Sequence, residues 1–248
     1  MSTLTPKQDA FGQQLMAYHR RGGEAVAVVE RSDGFIDPLH DLRQYFAGFA
    51  DWAPRQRRAM RLARGRVLDV GCGAGRVALH LQQKGLDAVG IDISPLAVKV
   101  CRERGLKKAR TMSLTQVSPR LGMFDTLIMF GNGFGLVENP RRARWLLRRW
   151  HSLTTDRARI IAESIDPHRA RAPEDVRYQR ENRRRGRMSG QMRLRVRCRT
   201  LATPWFDWLF ASQDEMRDIL AGTGWQVARV FETGGSLYCA VIEKEHQP

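Results

Sequence analysis

Apolar and polar positions follow two periods along the chain, and the changes of period mark its elements. Residues 7–21 set Phe11, Leu15, Met16 and Tyr18 at helical spacing, and Gly22-Gly23 ends that helix. A short apolar run, Ala25 to Val29, precedes Ser32-Asp33-Gly34 and Phe35-Ile36; Asp-Gly between apolar runs predicts a small hairpin. Pro38 to Arg64 predicts helix in two pieces broken near Pro54 and carries Tyr45, Phe46, Phe49 and Trp52. Residues 1–60 therefore read as an N-terminal cap before a main domain at 61–248.

From Arg66 strands and helices alternate. Strands are predicted at Val67–Val70, Ala88–Ile91, Ala109–Met112, Phe124–Phe130 and Arg159–Ala162. Between them lie helices from Arg76 to Lys84, from Ser94-Pro95 to Gly105, and over 141–153, the last with Trp145, Leu146, Leu147 and Trp150 on its apolar side. Such alternation predicts parallel βαβ units with helices on both faces of one sheet, an α/β doubly wound fold. Residues 164–190 break the rhythm and show no apolar period. Met192, Leu194, Val196 and Cys198 then alternate with four arginines, a strand signature, with residues 204–210 as its partner. Ser212-x-x-Glu215 is a capping box for a helix to about Ala221. Trp225–Glu232 and Leu237–Glu243, joined by Thr233-Gly234-Gly235-Ser236, predict an antiparallel final pair. The Arg-rich insertion thus runs from about 164 to 211.

The 248 residues suffice for one large α/β domain. No run of 18 apolar residues predicts a membrane span, and Met1 to Asp9 is too polar for a secretory signal. Four scattered cysteines without CxxC spacing predict reduced thiols in a cytoplasm and no metal site. The net charge of +16 is local: residues 141–159 carry seven Arg against one Asp, and 169–199 twelve Arg against three acids. Of the 42 basic residues 36 are Arg, a skew that codon composition also produces.

The candidate chemistry centres on Val67-Leu68-Asp69-Val70-Gly71-Cys72-Gly73-Ala74-Gly75-Arg76. A buried strand, three alternate glycines and a helix start form a nucleotide-binding corner, because glycine lets backbone and ligand approach closely. Asp92 ends the neighbouring strand 17 residues after Gly75, where a carboxylate accepts bonds from both ribose hydroxyls. Two ligands contain such a sugar, a nicotinamide cofactor and S-adenosylmethionine. Dinucleotide sites place the third glycine one residue later than Gly75, and Asp69 suits a cationic amine better than a pyrophosphate.

On these residues, with Gly90-Ile91-Asp92-Ile93-Ser94 and Phe124-Asp125-Thr126-Leu127-Ile128, the chain resembles the class I S-adenosylmethionine-dependent methyltransferases over roughly residues 60–165. The resemblance implies a seven-stranded Rossmann-like sheet whose last strand is antiparallel. It implies that Gly71, Gly73 and Gly75 line the methionine and ribose of the cofactor and that Asp69 binds its amino end. Asp92 then takes the ribose hydroxyls and Ile93 packs on the adenine. Met112 and Ser113 end the third strand, where many relatives place an acid near the adenine amine; Ser113 departs from that pattern. Phe130, Gly131 and Asn132 end the fourth, where relatives touch the methionine part; a plain turn role for Asn132 beside two glycines is equally open.

Methyl transfer needs alignment and exclusion of water more than side-chain chemistry. A base matters only where the acceptor loses a proton; Glu163 at the end of the fifth strand is the candidate catalytic residue, as a group lining the acceptor pocket. Lone His19, His40, His151 and His168 are weaker candidates, more simply surface or core residues. The acceptor site is expected over the strand C-termini, under Tyr45, Phe46, Trp52, Trp205, Phe206 and Trp208, each also an ordinary core residue; the arginines of 193–199 would meet an anionic acceptor or act as a charged edge strand. The expected function is methylation of a small-molecule oxygen or nitrogen. The alternatives are an RNA-acting methyltransferase or RNA-binding module using the basic stretches 141–159 and 169–199, and a non-catalytic cofactor-binding or dimerising protein.

Overall fold

Helix α1 (Ala10–Arg21) opens the chain as its periodicity predicts, with Gly22 at φ 60° closing it. The structure, a computed structural model, describes residues 3–22, 27–38 and 41–245. Gly23, Ala25, Val26 and the candidate base His40 lie outside the described residues. Strands β1 (Ala27–Arg31) and β2 (Ile36–Pro38) form the predicted hairpin about Ser32-Asp33-Gly34. Helix α2 (Arg43–Phe46) is a single turn, and α3 (Pro54–Met60) begins at the proline. The two-piece helix expected over 38–64 is thus mostly irregular. Ala47 and Ala53 at the helix boundaries, and Gly48 and Trp52 about a 3-10 turn, hold extended ψ values.

The α/β rhythm then holds element by element: β3 (Arg66–Val70), α4 (Arg76–Gln83), β4 (Asp87–Asp92), α5 (Pro95–Glu103), β5 (Ala109–Thr111), β6 (Phe124–Met129), α6 (Pro140–Ser152) and β7 (Thr154–Ile165). Strand β7 has 12 residues, far more than the expected four. Its extension at the amino end, Thr155 to Arg157, is polar and partly exposed, so no apolar run announces it. Beyond it come α7 (Pro173–Arg184), β8 (Gln191–Cys198), β9 (Leu201–Ala202), β10 (Phe206–Leu209), α8 (Gln213–Leu220), β11 (Trp225–Glu232) and β12 (Leu237–Lys244).

The main sheet has seven strands in the order β11-β12-β7-β6-β3-β4-β5. Strands β3, β4 and β5 pair in parallel, as do β6 and β7, whereas β12 is antiparallel to both β7 and β11. A second sheet, β10-β8-β1-β2 with β9 on β8, joins the N-terminal hairpin to the arginine-rich strand, aligning Glu30 with Arg195.

Residues 1–52, 65–118 and 193–206 form one compact unit, and 53–64, 119–192 and 207–248 a second. In the first, Val67, Leu68, Val89 and Ile91 are buried, which requires continuous apolar strands rather than alternating ones. Helix α1 packs on α5 through Leu15, Met16, Ala97 and Val100. In the second, α6 buries Ala143, Leu146, Leu147 and Trp150. Trp145, expected on that side, is 49% exposed and lies beneath the Arg149 guanidinium. Its position one residue before Leu146 turns it about 100° off the apolar stripe.

Helix α7 fills the stretch read as irregular. Its buried residues are Tyr178, Gln179 and Asn182. The Gln179 amide donates to the Pro167 carbonyl at 2.8 Å, and that of Asn182 to the Ser189 and Gln191 carbonyls at 3.0 and 2.7 Å. The inward face is held by amide hydrogen bonds and therefore leaves no hydrophobic period to detect.

Candidate active site

The first unit builds the glycine corner from backbone bonds. Gly71, Gly73 and Gly75 all have positive φ, at 70°, 53° and 81°. The Gly71 and Cys72 N–H groups donate to the Ile91 carbonyl at 2.9 and 3.0 Å, and Gly75 donates to Cys72 at 2.8 Å. Gly73 N–H donates to Asp92 Oδ2 at 3.0 Å. Four of the turn's donors are thus engaged inside the fold. Gly75 is fixed by packing as well: a Cβ there would lie 2.9 Å from Cys101 Sγ. That thiol donates to the Gly73 carbonyl and sits 3.7 Å from Cys72 Sγ.

Asp92 ends β4 and accepts from Ser94 N–H at 2.9 Å as well as from Gly73. Burial raises its pKa to about 6, against the lowering by those two N–H groups, and Asp9 adds a like charge. Asp69, 3% exposed at the end of β3, accepts from Ala78 N–H in the first turn of α4. Burial raises its pKa to about 7, opposed by the Ala78 bond and by the charge of Arg76. The folded state therefore retains a proton that an unfolded chain releases between about pH 4 and 7. Stability from this site falls as pH rises through that window. Asp69→Asn is expected to gain in melting temperature relative to the parent between pH 5 and pH 8. A difference independent of pH would show that the buried acid does not titrate there.

Ile93 follows Asp92 and accepts Leu4 N–H at its carbonyl. Met112 N–H donates to the Asp92 carbonyl at 2.8 Å. The Ser113 side chain is directed inward. It is 1% exposed, its hydroxyl bonds Thr115 and caps the 3-10 turn 114–116, so that group is engaged locally.

The second unit contains Phe130, Gly131, Asn132 and Glu163. Gly131 and Asn132 are consecutive left-handed residues with φ 67° and 59°. Both direct their N–H groups at Glu163 Oε2, at 2.8 and 3.4 Å, forming a small anion nest filled by the chain's own carboxylate. Arg55 donates to Glu163 Oε1 through Nε at 3.0 Å and Nη2 at 2.9 Å, and the Gln56 amide reaches both oxygens at 3.1 and 2.9 Å. Glu163, 2% exposed, thereby anchors the 131–132 turn, with both of its oxygens accepting hydrogen bonds. The sequence spacing of Arg55 and Gln56, 108 and 107 residues away, offers no signal of this cluster. Asn132 Oδ1 is buried with no hydrogen-bond partner, an acceptor available to a donor.

The remaining candidates have structural partners. His19 pairs with Glu103 at 3.3 Å and His168 with Glu215 at 3.1 Å. His151 packs edge-on to Trp225, and burial lowers its pKa. Trp52 is buried, donates to the Ala47 carbonyl and lies beneath the Arg76 guanidinium. Phe46 stacks under Arg104 and against Tyr18. Tyr45 packs on Phe11, its side chain 3.7 Å from where a Cβ of Gly73 would be, and burial raises its pKa. Arg195 lies over Trp205 and forks onto Glu30, which Arg197 also reaches. The arginine strand is therefore partly neutralised within its own sheet. Among the described residues no group of three or more metal-ligating side chains converges.

Residues 67–156 match the family model described as a methyltransferase domain. A SAM-dependent methyltransferase from Bacteroides fragilis, solved with S-adenosyl-L-homocysteine, superposes with TM-score 0.83 at 26% identity over 98% of both chains. The ubiquinone biosynthesis O-methyltransferase of Xanthomonas oryzae pv. oryzae is 35% identical over 102 residues, 39% of this chain and 40% of the relative. Magnesium-protoporphyrin O-methyltransferase of Rhodobacter capsulatus is 34% identical over 67 residues, 25% of this chain and 30% of the relative. The chain spans less than half the length of these curated relatives. With its β3–glycine turn–α4 corner, the acid closing β4 and the antiparallel β12, the chain carries a methyltransferase domain at residues 67–156 and is similar in fold to the S-adenosylmethionine-dependent methyltransferases.

Proposed function

We propose that the chain transfers a methyl group from S-adenosylmethionine to an oxygen or nitrogen of a small-molecule acceptor. One observation carries the choice of donor. The turn's N–H groups at 71, 72, 73 and 75 are engaged by Ile91, Asp92 and Cys72, and the half-buried Asp92 lies against the turn. A pyrophosphate needs those donors, and Asp69 at the end of β3 suits a cationic amine better than a pyrophosphate; an adenosine ribose takes the Asp92 carboxylate. S-adenosylmethionine brings a sulfonium that makes its methyl group electrophilic. The protein's part is placement: Asp92 accepts the ribose hydroxyls, Ile93 flanks the base, and the glycine backbone leaves room for the methionine chain. Small-molecule acceptors are named for the O-methyltransferases of Xanthomonas and Rhodobacter, which supports the same class here.

Calorimetric titration tests the donor. S-adenosylmethionine is expected to bind and NAD not to, and the reverse result would overturn the reading. Affinity should strengthen from pH 5 to pH 7.5, because Asp92 accepts two hydroxyls only when ionised and its pKa lies at about 6. Methyl transfer to RNA but to no small phenol, acid or amine would move the acceptor to the RNA alternative.

A further inference from the structure

We propose that Asp9, at the start of α1, is a positioning residue for cofactor binding, fixing through Ser94 the turn that aims the Asp92 carboxylate. The inference rests on the assignment of Asp92 to the ribose made above. Asp9 is fully buried. Its Oδ1 accepts from Gly12 N–H at 3.0 Å, closing the first turn of α1, and from Ser94 Oγ at 2.6 Å. Its Oδ2 accepts from Leu96 N–H at 3.0 Å, in the first turn of α5. One carboxylate thus satisfies unpaired donors at two helix starts. Ser94 relays the contact: its hydroxyl also accepts from Ala97 N–H at 2.9 Å, while its own N–H holds Asp92 Oδ1 at 2.9 Å. Leu4 N–H adds a third tie, to the Ile93 carbonyl at 2.9 Å.

Gly12 shows how tightly this joint is built. A Cβ there would fall 2.3 Å from Ser94 Oγ and 2.4 Å from Asp9 Oδ1, so glycine is needed inside a helix, where it is otherwise unfavourable. The joint is also electrostatic. Asp92 faces Asp9 from α1 and Asp69 from β3, with the Cys72 thiol in the turn and the Cys101 thiol of α5 beside it. Strand β5 sets Thr111 opposite Asp92 and the exposed Arg110 opposite Ile91. Asp9 is the acid among these that also bonds the Asp92 turn directly.

The test is titration of the full chain with S-adenosylmethionine and S-adenosylhomocysteine from pH 5 to 8.5, for the parent and Asp9→Asn, with melting temperatures measured alongside. The variant should bind about tenfold more weakly at pH 8, the usual scale for losing a hydrogen bond to a charged group. The pH below which affinity declines should also move downward, because a like charge beside Asp92 is gone. A purely structural role would lower the melting temperature and leave that midpoint in place. A folded variant with parental affinity and midpoint overturns the inference. If Asp9→Asn does not fold, Ser94→Ala takes its place: it removes the hydroxyl relay and keeps the N–H to Asp92. Weaker binding by a folded Ser94→Ala supports the inference, and parental affinity overturns it. A parent chain that binds neither ligand refutes the proposed function itself, and this inference with it.

Discussion

Replacing Glu163 with alanine is expected to lower the melting temperature by roughly 10 °C. The carboxylate is buried and meets Arg55, Gln56 and the Gly131–Asn132 turn at once. Removing it leaves a guanidinium and two N–H groups without an acceptor, in a place water does not readily reach. Breaking a buried ion pair from one side costs about 3–5 kcal/mol. In a chain of this size each kcal/mol moves the midpoint by about 2–4 °C. Glu163→Gln should fall between parent and alanine variant. It keeps one acceptor oxygen but turns an NH2 group toward donors that already face it. Thermal unfolding of the two variants decides the matter. An alanine variant melting within about 2 °C of the parent would show that the cluster is not the anchor its geometry describes.

The second large effect falls on the ligand rather than the fold. Asp92→Ala should weaken S-adenosylmethionine at least about tenfold, the value of one hydrogen bond to a charged acceptor at its lower end. On the proposed assignment of Asp92 to the ribose, both of its hydroxyl bonds would be lost together. The Gly73 and Ser94 N–H groups also lose the oxygens that hold the turn. Folding should suffer less than in Glu163→Ala, because the substitution also removes a carboxyl whose ionised form is disfavoured by burial, with a pKa at about 6. Calorimetry on a variant with a near-parental melting curve is the measurement. Unchanged affinity would remove Asp92 from the site.

What could be read from the sequence follows from how each element is stabilised. Strands β3, β4 and β6 are buried and apolar, and their glycines and Asp92 mark the ends that matter, so fold and donor were both legible. Helix α7 was not, because it faces inward with Gln179 and Asn182. The one-turn α2 shows the converse: Tyr45, Phe49 and Trp52 lie at a spacing that suits a longer helix, but the helix stops at Phe46, and Tyr45 and Phe46 instead pack on Phe11 and Tyr18. Glu163 was found at its strand end, yet its partners come from a segment more than a hundred residues earlier, and no local pattern links them. Asp9 was hidden for the same reason. An acid before a helix looks like an ordinary cap until Ser94 is seen against it.

The second sheet sets an order of events during synthesis. Strand β1 finds its partner in β8, and Glu30 its arginine 165 residues further on. A ribosome adding about 5–20 residues per second needs roughly 10–30 seconds to deliver that strand. Through that interval β1 and β2 are a lone hairpin, which water alone holds marginally. Helix α1 waits far less, since Ser94 and α5 emerge well before β8. The nascent chain therefore docks its first helix early and carries an open sheet edge until the arginine strand arrives to close it.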